Sequence, residues 1–71
     1  MVNSELTKDR MREKNKTQRD IADALNLKTP TVSLKINNKR PLFLDEAEKI
    51  AKILDISDDE FGSYFFSRDV A

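Results

Sequence analysis

Ala22, Asn26 and Val32 follow one another at intervals of four and six residues, and no other feature narrows the possible folds of this chain as much. Thr17 suits an N-cap, and Asp20 three residues later makes a capping-box-like pair with it. Ile21, Ala22 and Leu25 then form an apolar stripe that Asn26 stops. The next helix begins around Lys28 to Pro30, because proline suits a first helical turn. Either Lys28 or Thr29 caps it. Val32 and Ile36 stand four apart within it, and Asn37-Asn38 closes it. Two short helices joined by so tight a turn lock at a steep angle under three conditions. A small residue sits where they cross, the turn tolerates a positive φ, and apolar residues pin both helices to one core. Ala22 meets the first condition and Asn26 the second; Ile21, Leu25, Leu27, Val32 and Ile36 meet the third.

The rest of the chain reads as three more helices. The first runs from about Ser4 to Lys14, with Leu6, Arg10 and Met11 on one side, and Asn15 ends it. Lys39-Arg40-Pro41 is a break, after which Leu42, Phe43 and Leu44 lead into a fourth helix reaching Leu54. Ala47, Ile50, Ala51, Ile53 and Leu54 give it a stripe of helical period. Ser57 with Glu60 predicts a capping box opening a last helix that carries Phe61, Tyr64, Phe65 and Phe66. The tail after Ser67 is expected to fray. No strand pattern, repeat or linker interrupts residues 1–71, so a single all-α domain, a compact five-helix bundle, is expected.

Cysteine and histidine are both absent, which removes disulfides, thiolate metal sites, the usual zinc ligand and the usual general base. No catalytic residue set, metal site, cofactor or small-molecule ligand is expected. The acids Glu46, Glu48, Asp58, Asp59 and Glu60 fall where helix N-termini attract negative charge, which explains most of them without a metal. No apolar run approaches the roughly 18–20 residues that span a bilayer, and Met1-Val2-Asn3-Ser4-Glu5 lacks a signal-peptide layout. A soluble cytoplasmic protein is the expectation. Net charge is zero, yet it is polarised. Ten bases face five acids from Met1 to Leu44, and three face eight from Asp45 to Ala71. A basic front of this kind points to a polyanion.

Thr17-Gln18-Arg19-Asp20-Ile21-Ala22-Asp23-Ala24-Leu25-Asn26-Leu27, then Thr31-Val32-Ser33, then Asn37-Asn38-Lys39-Arg40-Pro41 resemble the helix-turn-helix domain of Cro and phage-repressor proteins, an XRE-like, lambda-repressor-like DNA-binding fold. The likeness covers nearly the whole chain, with the helix-turn-helix at about residues 17–37. Members commonly carry Gly where this chain has Asn15, Asn26 and Asn38; Asn is the least damaging replacement in a left-handed turn. Lys35 stands where an apolar residue is usual, so its stem is expected to cover the core edge. An Arg and an acid that some relatives pair are here Met11 and Ile36, which predicts an apolar contact instead.

The resemblance implies a transcriptional regulator, a repressor or Cro-like protein of a phage or prophage, that binds a double-stranded operator through the major groove. Helical projection turns Val32 and Ile36 inward and Pro30 and Leu34 outward, flanked by Thr31 and Ser33. Hydroxyls read base edges permissively, and Leu34 with the Thr31 methyl suits thymine methyl groups. Arg, Gln and Asn, the usual bidentate readers, are missing from that outward face, so Lys28, Thr29 and DNA shape carry part of the readout. Gln18 is implied to contact phosphate, as are Lys39, Arg40 and backbone N–H groups near Asn38; Lys35 and Asn37 complete the expected DNA-binding set. Leu34 has a competing role, packing on Phe43 or a neighbouring helix. One helix reads one half-site, so a palindromic operator and a homodimer, at least on DNA, are expected. Tyr64-Phe65-Phe66 offers more apolar surface than one face of a terminal helix buries; part of it is expected to close the core, and the remainder of the run is the expected dimer interface. Two other readings share this fold: an antitoxin whose acidic half binds a toxin, which co-purification of a small basic protein would favour, and a protein-interaction module without DNA binding, which salt-dependent DNA binding would exclude.

Overall fold

A computed structural model describes residues 1–66, which contain five α-helices and no strand. They are α1 (Ser4–Glu13), α2 (Gln18–Leu25), α3 (Thr29–Ile36), α4 (Leu44–Ile53) and α5 (Asp58–Phe65). All five stand where periodicity and caps place them. The expected fraying after Ser67 lies outside the described residues.

Local chemistry sets the boundaries. Asn3 opens α1 by accepting the Leu6 N–H at 3.2 Å. Thr17 opens α2 with a full capping box: its hydroxyl accepts the Asp20 N–H at 3.2 Å, and the Asp20 carboxylate accepts the Thr17 N–H at 2.8 Å. The Thr17 N–H, and the Thr17 hydroxyl that donates to the same carboxylate at 3.1 Å, favour the ionised form and hold the Asp20 carboxyl below its ordinary value, with Lys16 and Arg19 adding smaller attractions. Asn15, Asn26 and Asn38 follow the first three helices with φ of 57°, 57° and 62°, as their type predicts. Asp55 does the same after α4 at 57°, an end that the sequence did not signal.

The start of α3 is settled between its two candidates, and one expected cap is not made. Lys28, not Thr29, is the residue before α3, and its side chain makes no capping bond. Proline on the first turn lowers the number of N–H groups that need one. Ser57 forms no capping box; its hydroxyl donates to Glu60 Oε1 at 3.0 Å and leaves the backbone of α5 uncapped. The short distance between the two side chains satisfies both without recruiting the helix.

Ile21, Val32, Ile36, Ile50 and Leu54 are fully buried at the centre, joined by Met11, Ala22, Ala47, Tyr64 and Phe65. Met11 and Ile36 are both sealed in this cluster, as apolar substitutes for an ion pair should be. α2 packs on α3 and α4, while α1 packs on α5. Long-range polar bonds fasten the ends. Asn38 Oδ1 accepts the Val2 N–H and its Nδ2 donates to the Val2 carbonyl, each at 2.9 Å. Arg10 crosses from α1 to donate to the Leu54 and Asp55 carbonyls at 2.9 and 2.7 Å. That guanidinium satisfies orphan carbonyls at the negative end of α4. One buried group stays unsatisfied: the Thr7 hydroxyl has no hydrogen-bond partner among the described residues. No helix among them is long and apolar enough to cross a membrane.

Candidate nucleic-acid interface

Helix α3 owes its orientation to Val32 and Ile36, each about 1 % exposed. With these turned into the core, the roughly 100° step per residue leaves Pro30, Ser33 and Leu34 on the other side. Thr29 and Pro30 are exposed, Thr31 and Ser33 are half-buried, and Leu34 keeps 40 % of its surface open. Phe43 is 60 % exposed, so it does not cover Leu34 in a packed core. Gln18, the first residue of α2, is half-buried.

Cations border this face. Lys28 is exposed at the N-terminal end of α3, and Lys39 and Arg40 are exposed just beyond its C-terminal end. The chain folds back there, since the Lys39 and Arg40 N–H groups donate to the Leu34 carbonyl at 2.8 and 3.3 Å. Ion pairing separates the basic residues into two groups. Arg10, Arg12, Lys14 and Lys35 pair with Glu13, Asp9, Asp55 and Glu46. Lys16, Arg19, Lys28, Lys39 and Arg40, beside α2 or α3, make no ion pair among the described residues, and neither do Lys8 on α1 and Lys49 and Lys52 on α4. Five cations thus stand around these two helices against the two α2 acids, Asp20 and Asp23.

Four expected contributors are occupied otherwise. Lys35 is only 7 % exposed: its ammonium bonds Glu46 Oε1 at 2.8 Å and the Pro41 carbonyl at 3.1 Å, and lies 4.5 Å above the Phe43 ring. A charge desolvated this far needs its counter-ion, so Lys35 secures α3 to α4 instead of meeting a ligand. Its stem does cover the core edge. Asn37 accepts from the Lys8 ammonium at 2.8 Å and donates to the Ser33 carbonyl at 2.9 Å. Asn38 is committed to Val2. The backbone N–H groups of Asn38, Lys39 and Arg40 all donate within the chain, so they are not free to grip phosphate.

Lys8 was not singled out by its sequence context, because it meets Asn37 from another helix 29 residues away. Lys16 and Arg19 were legible as cations flanking Thr17-Gln18, in the first turn of a helix, where an anion is favoured.

The expected dimer surface is also corrected. Tyr64 and Phe65 are 5 % and 4 % exposed, and burial raises the Tyr64 hydroxyl above its ordinary pKa. Phe65 stacks with Phe61 at 4.9 Å, and only Phe66 remains open, at 59 %. Docking of α5 against α1 needs two of the three aromatic faces inward. Asp45 and Glu46 occupy the first turn of α4, and Asp58, Asp59 and Glu60 that of α5, where the helix dipole favours them.

No curated protein matches the chain. A family model described as "Protein of unknown function (DUF739)" matches residues 4–68. That span takes in all five helices and the whole α2–α3 face, and the chain thus belongs to the DUF739 family.

Proposed function

We propose that this protein is a sequence-specific DNA-binding regulator of transcription of the Cro or phage-repressor type, with α2, the Asn26 turn and α3 as its helix-turn-helix. One observation carries the reading. α3 turns a neutral outer face outward, with Thr29, Pro30 and Leu34 exposed and Ser33 half-buried, and unpaired cations border it. A major groove about 12 Å wide admits such a helix. Within it, neutral hydroxyls and a leucine meet base edges and thymine methyl groups, while Lys28, Lys39 and Arg40 at its margins meet phosphates. Gln18, with Lys16 and Arg19 beside it, meets the backbone on the opposite margin. No step requires a cofactor: occupying the operator excludes polymerase. The protein measures 27 × 24 × 21 Å, small enough for two copies to sit on one DNA face, where successive major grooves lie ~34 Å apart.

Selection of bound duplexes from a random pool tests this directly. The expected product is an inverted repeat whose half-sites lie one helical turn apart. Affinity should fall with salt by a slope of about 0.9 per neutralised phosphate. A pool that shows no enrichment even in dilute buffer contradicts the proposal.

A further inference from the structure

Two surfaces of this protein are complementary to each other. On one, Leu34 projects at 40 % exposure, and the chain folds back to set Lys39 and Arg40 beside it. On the other, an open cleft of about 580 Å³ lies between α4 and α5. Ala51, Ile56 and Phe61 form its apolar lining. Glu48, Asp55 and Asp58 supply its acids against a single base, Lys52. Asp55 is shared with Lys14 at 3.4 Å, while Glu48 and Asp58 make no ion pair among the described residues. An apolar knob flanked by cations thus matches an acidic cleft with a partly apolar floor. The chain as a whole has zero net charge, so copies approach without overall repulsion, and a polarised distribution favours their alignment.

We infer that, without DNA, one copy seats Leu34 in the α4–α5 cleft of a second copy, with Lys39 and Arg40 against Glu48 and Asp58. The two surfaces differ, so the contact is head to tail: the copy that gives its α3 keeps a free cleft, the copy that gives its cleft keeps a free α3, and association is not limited to pairs. The association depends only on the charges and shapes just described. A regulatory consequence rests on the DNA reading of α3. A copy whose α3 is seated in a neighbour's cleft cannot present that face to DNA, so excess protein lowers the share of α3 faces available for DNA.

Sedimentation equilibrium tests the contact. At roughly 0.01 M salt, where screening sets in at about 30 Å, the mean mass of the wild-type chain should rise with concentration. At about 1 M salt, with a screening length of about 3 Å, it should return to that of the monomer. Glu48→Lys/Asp58→Lys and Lys39→Glu/Arg40→Glu each alter exposed residues only. Either variant alone should stay monomeric in dilute salt, and the mixture of the two should associate again. Circular dichroism confirms folding of each, and the wild-type salt response is a test independent of both. A wild-type chain that stays monomeric in dilute salt overturns the inference. So does a reversed variant that associates like the wild type. If the wild type associates but a duplex that it binds fails to disperse it, the contact stands and the DNA reading of α3 fails.

Discussion

Single side chains carry several of the decisive energies. Glu46 Oε1 accepts from both the Lys35 ammonium and the Phe43 N–H, at 2.8 and 3.0 Å, and joins α3 to the start of α4. Removing one partner of a buried ion pair leaves the other charge desolvated, so Glu46→Ala should lower unfolding free energy by about 3 kcal/mol. Lys35→Met/Glu46→Gln removes both charges and keeps an acceptor for Phe43; urea denaturation should find it near wild type. Thr7 presents the converse case. Its hydroxyl is buried without a partner, so Thr7→Val, which keeps the shape, should raise stability by about 1 kcal/mol in the same assay. Leu34→Ala removes a half-open side chain, and is expected to leave the thermal midpoint nearly unchanged while altering which operator is preferred. Lys35 shows what residue type cannot disclose. A lysine in a basic front reads as a surface cation, and only the fold reveals a carboxylate 11 positions later turned to meet it.

Whole helices were legible because caps and periodicity are local. Thr17 with Asp20, and asparagines at turn positions, marked ends that the structure keeps. Ser57 with Glu60 carried the same pattern, yet its side chains bond each other instead of the backbone. Pattern alone does not separate those outcomes. The asparagines are likewise not equivalent. Asn26 needs only to tolerate a φ of 57°, so Asn26→Gly should be neutral, whereas Asn38→Gly should destabilise by about 2 kcal/mol through two lost bonds to Val2. The α2 cap also responds to pH. Asp20 has a folded pKa below its ordinary 3.8, so its contribution is present above that value and fades as pH falls through the lower one. NMR titration of Thr17→Ala should find the Asp20 pKa raised but still below 3.8, because the backbone N–H of residue 17, the larger cause, remains and only the hydroxyl bond is gone.

At the scale of the molecule, charge polarity was plain in the sequence, but its meaning depended on pairing. Of ten bases in the front, four are neutralised by nearby acids, and those left unpaired beside α2 and α3 define the face proposed to meet DNA. The aromatic run near the C-terminus misled for a related reason. Composition reports how much apolar surface exists, and packing decides that Tyr64 and Phe65 are spent on the core. The central claim is that the outer side of α3 is the surface that touches DNA. Amide chemical shifts, followed as a selected duplex is added at moderate salt, report that surface most directly. With salt high enough to keep the free protein monomeric, changes are expected to concentrate on Gln18, Thr29, Thr31 to Leu34, Lys39 and Arg40, with Glu48 to Phe61 quiet. Changes centred on the α4–α5 cleft, or a spectrum indifferent to DNA, would contradict the account.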